Sequence, residues 1–378
     1  MRFRPVLLGT AIGLVIAAGI IGLQRVSGTA QKPTKPEGVL LADCQGAIQE
    51  LVVHYTREGA ALVEKCYRDF LSQLPADVTV HVVCPEREDF DDLQERIGST
   101  ACSLKPVLVS HALTPWSRDR WLALAPVEGA TRMTLYLPRE ENAAEVWANR
   151  AGDQRAGADL AALMPHRIRA WRSPWFFDGG DFVADERTVF ATPAVLRRNL
   201  HLTVQEAEAL RKDLEAQFRR RVVLLKAAPD HHAGMFMMPV GERRMLVGDP
   251  RMAQKVLTRS GKDRAPCCPC GDDFSSEAQQ LFDQVAEQAT REGYLVTRIP
   301  VVPGTDTKTY LSYVNVILDE RDGQRVVYLP HYTGQKELNR EAARIWQSLN
   351  YKVRPVDCTT LYPHFGSLRC VVNVLRRG

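Results

Sequence analysis

The sequence lacks a strong charge of either sign and has no basic stripe. It carries 49 Lys and Arg against 45 Asp and Glu, a net charge of +4 over 378 residues. Its densest basic cluster, residues 219–221, has no interleaved aromatic side chains. Nucleic-acid surfaces combine clustered basic groups with such aromatics, because phosphate contacts supply much of the affinity. We therefore expect no nucleic-acid partner.

A complete set of metal ligands is also missing. Cys267, Cys268 and Cys270 could form half of a zinc site, but no second pair follows at ligand spacing. The sequence therefore predicts no metal. Outside the cytoplasm, loop disulfides are the stronger interpretation of this cluster. An odd cysteine count leaves one thiol over, and the other eight suffice for four disulfides. The nine cysteines are Cys44, Cys66, Cys84, Cys102, Cys267, Cys268, Cys270, Cys358 and Cys370.

One long hydrophobic run is present, at the N-terminus. Arg2 and Arg4 precede an uncharged stretch over residues 6–23, and Arg25 follows it. The stretch is long for a signal-peptide core and about the minimum for a membrane span. Residues 1–28 are thus predicted to be a signal peptide or a membrane anchor. Either form exports the remaining chain, because the leading positive charges stay on the cytoplasmic side.

The chain after this segment has the composition of a globular protein, with 45% hydrophobic and 25% charged residues overall. Residues 29–38, which contain Pro33 and Pro36, indicate an extended linker. Residues 39–378 are predicted to form the folded domain. If the N-terminal segment is not cleaved, residues 6–23 would hold this domain at a membrane.

Strand and helix signals alternate along the domain. The C-terminal third predicts strands at residues 310–318 and 325–329, a helix at 337–349 and a strand at 351–356. This β-β-α-β order also fits residues 182–225. We therefore expect an α/β fold with mixed sheets covered by helices.

Asp119 is the first candidate for a substrate contact. It follows Arg118 and lies between Trp116 and Trp121. A carboxylate between aromatic walls can receive a planar cation through paired hydrogen bonds to a guanidinium. An internal Arg–Asp pair beneath an aromatic lid is the alternative.

Two acids flanking a pair of glycines form the second candidate segment. Asp178 and Asp181 enclose Gly179 and Gly180. Paired glycines allow positive φ and close approach of the backbone to a ligand. The two carboxylates could orient amines of a ligand, or the segment could be a tight turn with solvated acids.

A histidine pair precedes an apolar stretch at residues 235–240. Histidine exchanges protons near neutral pH, so His232 is a candidate acid and base. Cys370 lies in a second apolar, β-branched stretch near the C-terminus and is a candidate for the unpaired thiol. A cysteine, a histidine and carboxylates suffice for nucleophilic catalysis.

The order of these segments resembles the pentein superfamily, and more narrowly agmatine deiminases and bacterial-type peptidylarginine deiminases. The resemblance covers roughly residues 114–375. It rests on Trp-x-Arg-Asp, the Gly-Gly turn with its acids, His before an apolar strand, and Gly-x-x-x-Cys.

The resemblance implies a five-bladed α/β propeller of β-β-α-β modules around a central polar channel. It also implies that Cys370 attacks a guanidinium carbon, that His232 is the acid and base, and that Asp119 holds the guanidinium. Trp116, Arg118 and residues 178–181 would contribute to substrate binding. Small guanidines or arginyl peptides would be the substrates, and no cofactor is required.

The chain departs from this family at two positions. The family motif His-x-Asp corresponds here to His232-Ala-Gly234, so the second guanidinium-binding carboxylate is missing. The family's His before the cysteine is Arg369. We therefore expect an exported guanidine-modifying hydrolase, with two alternatives: an inactive binding protein at the membrane surface, or an amidinotransferase.

Overall fold

A computed structural model describes residues 38–141, 150–199, 204–261 and 270–378. The predicted targeting segment (residues 1–28), residues 29–37 of the linker, and the Cys267–Cys268 pair lie outside these ranges. The strands are β1 Val39–Leu40, β2 Ile48–His54, β3 Thr79–Cys84, β4 Ser103–Leu108, β5 Leu122–Ala125, β6 Met133–Leu137, β7 Ile168–Arg172, β8 Phe182–Ala184, β9 Thr188–Ala191, β10 Arg221–Leu224, β11 Met237–Pro239, β12 Arg244–Asp249, β13 Leu295–Pro303, β14 Tyr310–Ser312, β15 Ile317–Arg321, β16 Gln324–His331, β17 Tyr351–Asp357 and β18 Asn373–Arg377.

The helices lie mainly between strands that pair in parallel. They are α1 Ala60–Ser72, α2 Arg87–Ile97, α3 Asp153–Leu163, α4 Pro193–Arg197, α5 Val204–Phe218, α6 Pro250–Arg259, α7 Ser276–Arg291, α8 Lys336–Ser348 and α9 Leu368–Val371. Within the described ranges, no helix is long and apolar enough to cross a membrane.

The strands form five sheets of three or four strands. Four sheets contain a sequence-adjacent antiparallel pair followed by a parallel pair with a helical crossover. In these four sheets the pairs are β5–β6–β7, β8–β9–β10, β11–β12–β13 and β15–β16–β17. The element order predicted from the sequence thus recurs along the chain, although residue identities do not repeat.

The fifth sheet joins the two ends of the domain. β18 pairs antiparallel with β2, with Asn373 opposite Val52, and β2 continues in parallel with β3 and β4. This sheet therefore contains the same antiparallel pair followed by a parallel pair, with its antiparallel strand taken from the far end of the chain, and it adds a second parallel pair. The nucleophile candidate, in α9, lies immediately before that closing strand.

Helix starts follow local capping chemistry. Asp249 accepts a hydrogen bond from the Met252 amide at 3.0 Å, and Pro250 occupies the first helical position of α6. Ser275 caps α7 in the same way, through the Ala278 amide at 3.1 Å. These caps satisfy amides that have no partner within the helix.

Two of the strands predicted from the sequence differ from those in the structure. The stretch predicted as one strand over residues 310–318 is divided between β14 and β15, which belong to different sheets. The apolar pattern continues through the break because residues 313–316 stay buried while the chain crosses between sheets. Cys370, placed by the sequence in an apolar strand, lies in the helical turn α9 instead.

The core is built from side chains of the sheets and the covering helices. Trp346 on α8 is completely buried, and its indole Nε1 donates a hydrogen bond to the Tyr313 carbonyl at 3.0 Å. This contact anchors α8 to the crossing between β14 and β15. The same crossing carries Asn315 toward Cys370.

We expect Trp346→Ala to destabilise the fold by about 3–5 kcal/mol, because it leaves a large cavity and removes the donor to a buried carbonyl. The control Leu295→Ala removes a side chain that is 65% exposed and should change stability by less than about 0.5 kcal/mol. Urea unfolding followed by tryptophan fluorescence measures both. Equal midpoints for the two variants would contradict this assignment of the core.

Candidate active site

Cys370 lies at the meeting point of three distant segments. It is only 4% exposed, and the Asn315 amide Nδ2 is 3.6 Å from its Sγ. The Asn315 Oδ1 accepts a hydrogen bond from the Arg369 amide at 2.8 Å, which fixes the side-chain amide. The Cys370 carbonyl accepts a hydrogen bond from the Arg118 amide at 3.3 Å. The thiol is therefore held from two sides by groups far apart in sequence.

Gly179 and Gly180 are required by close packing, not by an unusual backbone conformation. Neither has a positive φ. A Cβ on Gly180 would lie 2.4 Å from His232 Nδ1, and a Cβ on Gly179 would lie 2.3 Å from the Arg118 carbonyl oxygen. The Gly179 amide also donates to the Asp119 carbonyl at 2.7 Å. The Gly179–Gly180 turn thus packs directly against the His232 ring and against the backbone of Arg118 and Asp119.

The His232 ring lies between two carboxylates. Its Nδ1 is 3.9 Å from Asp119 Oδ1, and its Nε2 is 3.7 Å from Asp178 Oδ2. Burial of the ring opposes protonation, but the Asp119 charge, the Asp178 carboxylate and the Cys370 thiol together hold the pKa of His232 well above its usual value. This environment therefore favours the imidazolium form of His232, which can donate a proton toward Cys370 or a bound ligand.

His231 has a different environment. Burial and the adjacent His232 charge lower the pKa of His231 to about 3. Its Nδ1 accepts a hydrogen bond from the His232 amide at 2.7 Å, and its ring packs edge-on against Tyr310. The neutral His231 thus supports the position of His232 and carries no charge itself.

Asp178 is held as a carboxylate by cations on its other side. Arg198 Nη1 lies 3.0 Å from Asp178 Oδ2, and Arg120 Nη1 lies 3.5 Å from Oδ1. Although burial opposes ionisation, His232 and these arginines lower the pKa of Asp178 far below its usual value. Glu141 pairs with both arginines and fixes them in place.

The Asp181 carboxylate is held by hydrogen bonds within the protein. It accepts hydrogen bonds from the Thr192 hydroxyl at 2.9 Å and from the Asp178 amide at 2.9 Å. Burial raises the pKa of Asp181, and the nearby Asp178 charge adds to this effect. Asp178 and Asp181 thus have opposite pKa shifts although only three positions separate them.

Asp119 already holds a guanidinium group from within the chain. Arg150 donates a hydrogen bond from Nη2 to Asp119 Oδ2, and its Nε lies 3.7 Å from Asp153. The other oxygen, Asp119 Oδ1, is buried and accepts no hydrogen bond from the described residues; His232 Nδ1 is likewise unbonded. The carboxylate is therefore shown to accept a guanidinium, and one of its oxygens faces the histidine with unused capacity.

These groups share one cavity of about 780 Å³. Of the residues predicted from the sequence, the lining includes Trp116, Asp119, Asp178, Asp181, His232 and Cys370. Gly179 and Gly180 pack beneath it. Arg118 lies outside it, on a second and smaller cavity. The structure thus assembles the predicted acids, histidine and thiol around one space, whereas Arg118 faces away from that space.

The two departures from the family pattern lie beside each other. A Cβ added to Gly234 would lie 3.1 Å from Arg369 Nη1 and 3.4 Å from Asn315 Nδ2. Arg369 is 3% exposed and pairs with Asp43 at 2.7 Å. The space beside residue 234 is therefore occupied by the Arg369 guanidinium, which points away from the thiol toward Asp43.

Three further groups had no predicted role. Asn315 contacts the thiol, Arg150 occupies Asp119, and Arg198 holds Asp178. Asn315 lies in an apolar stretch of residues 313–318, where a buried amide needs polar partners; that was the available signal. Nothing in the local sequence distinguishes Arg150 or Arg198 from surface arginines.

The described residues contain no group of three or more His, Cys, Asp or Glu side chains arranged to hold a metal ion. The six thiols of Cys44, Cys66, Cys84, Cys102, Cys358 and Cys370 form no disulfide with one another. The cavity brings together a thiol, imidazole groups, carboxylates and basic side chains.

Solved structures share this architecture. An agmatine deiminase from C. jejuni aligns with TM-score 0.67 at 14% identity, over 90% of this chain and 97% of that chain. Its substrate-bound form aligns with TM-score 0.66 at 14% identity, over 90% and 96%. A candidate arginine deiminase from Porphyromonas gingivalis aligns with TM-score 0.66 at 18% identity, over 89% and 97%.

The chain has the fold of these deiminase structures. The resemblance seen in the sequence is thereby confirmed at the level of fold, and so is the mixed α/β class. No family model matches the sequence, and no curated protein matches it.

Replacing Asp119 should change the protonation of His232. We expect Asp119→Asn to lower the pKa of His232, because the largest charge that favours the imidazolium is removed. A raised pKa stabilises the folded state below the unfolded-state value of about 6.5, and this contribution is lost as pH rises through the folded-state pKa. In the variant, that loss should occur at lower pH. NMR titration of the ring protons measures the shift, and exposed His166 is the internal control. An unchanged His232 titration would contradict the geometry.

Proposed function

We propose that the protein is a hydrolase of guanidino groups, acting through a covalent adduct on Cys370. The observation that carries this proposal is the meeting of Cys370, His232 and Asp119, with a guanidinium already bound to that carboxylate. A site that accepts an internal guanidinium has the donor–acceptor geometry for an external one. Deiminases among the similar structures support the same class of reaction.

The proposed reaction has two steps. The Cys370 thiolate attacks the guanidinium carbon, and the C–N bond to the leaving nitrogen breaks as His232 gives that nitrogen a proton. The result is an amine or ammonia and a thiouronium adduct. A water molecule then attacks the same carbon after losing a proton to His232, and the C–S bond breaks. The products are a ureido group and the regenerated thiolate.

The electrostatics support this division of roles. The carboxylates around His232 favour its imidazolium form beside Cys370, where it can protonate a leaving nitrogen. Asp178 and its arginines keep the ring charged and oriented. Asp119 is the proposed anchor of the substrate guanidinium. Because Gly234 offers no second carboxylate, the anchor depends mainly on this one side chain.

The volume of the cavity supports a substrate larger than the guanidino group itself. About 780 Å³ is within the range of pockets that enclose drug-sized ligands. Both small guanidines such as agmatine or arginine and arginyl peptides are therefore proposed substrates. Trp116 contributes an aromatic wall, and Gly366 leaves room for it, since a Cβ there would lie 2.3 Å from the indole.

Two finer features belong to the same proposal. We propose that the five sheets are the blades of a propeller, supported by their shared pairing pattern and by the β18–β2 closure. We also propose that the domain, residues 39–378, is exported by the segment at residues 1–28. The arginines flanking the uncharged run support export.

An inactive binding protein is the second candidate, and one observation favours it. Arg150 occupies the carboxylate that the substrate would need. A ligand must displace this guanidinium or the site stays blocked. In a hydrolase the Cys370 thiol reacts with a bound guanidine, whereas in a binding protein it does not.

We expect turnover of agmatine, free arginine or an arginyl peptide by the full chain, measured as ureido product. Cys370→Ala should abolish it, because Cys370 is the one thiol among the described residues that line the cavity. Asp119→Asn should lower activity about tenfold to a hundredfold, since one charge-assisted hydrogen bond is lost. A haloacetamidine should label Cys370, as shown by mass spectrometry. Absence of both turnover and labelling would reject the hydrolase and favour the binding protein.

Removing the internal guanidinium should strengthen substrate binding. We expect Arg150→Ala to lower KM several-fold with a smaller change in kcat, because the substrate no longer competes with Arg150 for Asp119. The matched control is Arg155→Ala, which removes an exposed arginine one turn away on α3 and should leave both constants unchanged. A KM that rises in Arg150→Ala would instead show that Arg150 contacts the substrate.

A further inference from the structure

A second cavity lies behind the catalytic one. It measures about 20 Å³, and its charged lining consists of Asp43, Arg118, Arg369 and Arg377. It shares no lining residue with the catalytic cavity. Three guanidinium groups thus surround this small space with a single carboxylate among them. Apolar side chains of β1, β15 and β18 provide much of the remaining lining.

The two cavities are connected through neighbouring residues in the chain. Arg118 precedes Asp119, and Arg369 precedes Cys370. In each pair the arginine lines the inner cavity, while the following residue lines the catalytic one. The inner cavity is therefore positioned to influence both the proposed anchor and the nucleophile without contacting the substrate.

Arg118 is the group whose charge is least compensated. It is nine-tenths buried, and no carboxylate of the described residues lies within ion-pair distance. Its Nη1 donates to the neutral Asn373 Oδ1 at 2.9 Å, and its Nε has no hydrogen-bond partner within the described chain. Burial, together with the Arg369 charge, lowers the pKa of Arg118 to about 9. A buried guanidinium without a counter-charge is costly.

The single carboxylate of the cavity is already engaged. Asp43 Oδ1 accepts hydrogen bonds from both Nε and Nη2 of Arg369, at 3.1 and 2.7 Å. Asp43 Oδ2 accepts one from the Ala184 amide at 2.8 Å. Arg377 donates to three backbone carbonyls, and its Nε is also buried without a partner. Among the residues that line the cavity, one carboxylate thus faces three guanidinium groups, and two of their N–H groups have no hydrogen-bond partner within the described residues. Asp119 and Asp319 act on Arg118 and Arg377 from outside this lining.

We propose that the inner cavity binds a small inorganic anion of the halide class, held by Arg118, Arg369 and Arg377. The size of the cavity selects a monatomic ion, because a single water needs roughly 10–15 Å³ and phosphate needs far more. The anion neutralises part of the buried charge. It accepts hydrogen bonds from Arg118 Nε and Arg377 Nε, which have no partner among the described residues. It thereby stabilises the positions of Asp119 and Cys370.

A larger depression adjoins the inner cavity. It measures about 280 Å³ and shares Leu40, Leu41, Ala42 and Arg377 with the inner cavity. Arg220 also lines it and donates to the Leu40 carbonyl from Nε and Nη2, at 2.9 and 2.7 Å. Basic side chains therefore lie on this side of the inner cavity, and none of the residues that line the depression lines the catalytic cavity.

The first test locates the ion directly. Crystals of the full chain grown without halide are soaked in bromide, and anomalous diffraction is recorded at the bromine edge. We expect an anomalous peak in the inner cavity, in contact with Arg118 and Arg369. A cavity that holds only water, without an anomalous peak, would overturn the proposal.

The second test measures binding in solution. Thermal unfolding is followed from zero to about 0.5 M potassium bromide, with potassium gluconate keeping the ionic strength constant. Because a ligand that binds only the folded state raises Tm, we expect a saturable rise of about 2–4 °C. The readout requires no turnover, so it is independent of the proposed hydrolase activity.

Two variants with opposite expected effects make this test specific. Arg118→Gln should weaken bromide affinity at least tenfold, since it removes a charged donor. Asp43→Asn should strengthen it severalfold, because the competing carboxylate is neutralised; this variant decides the matter if Arg118→Gln does not fold. Arg155→Gln, at an exposed site, is the control and should respond as the unaltered protein does. A bromide response that is the same in Asp43→Asn and the control would also overturn the proposal.

Discussion

The charge of His232 between Asp119 and Asp178 is the interaction on which the candidate site depends. A buried imidazolium is stable only where carboxylates compensate the cost of leaving water. Here two carboxylates lie on opposite sides of the ring, and the second is itself fixed by Arg120 and Arg198. The glycine turn exists because nothing larger fits beneath the ring. Several features of the sequence thus reflect one requirement, which is to keep a charged histidine next to a thiol.

The fold could be predicted from the sequence to the level of element order and mixed sheets. Predicted strands and helices in the C-terminal third, such as the helix that became α8, lie close to the observed bounds. The crossing at residues 313–316 was missed because its side chains stay buried and apolar while the chain changes sheets. Periodicity reports burial, and it does not distinguish a strand that continues from one that ends inside the core.

The candidate site was predictable where residue chemistry and order were both informative. Asp119, His232 and Cys370 were identified together with the turn at residues 178–181, and the structure places them around one space. The roles of those residues stay proposals. Arg150 and Arg198 could not be identified, since an arginine becomes part of a site only through the partner that folding brings to it. The family resemblance assigned Arg118 to substrate binding, whereas the structure places its side chain in the lining of the other cavity.

The contact between Gly234 and Arg369 has a consequence for how such a site can change by mutation. An acid introduced at position 234 would lie beside the Arg369 guanidinium and compete with Asp43 for it. A histidine introduced at position 369 would leave Asp43 without its partner. The cost of a substitution at any of these three positions therefore depends on the residues at the other two. Their contributions to stability are coupled and do not add.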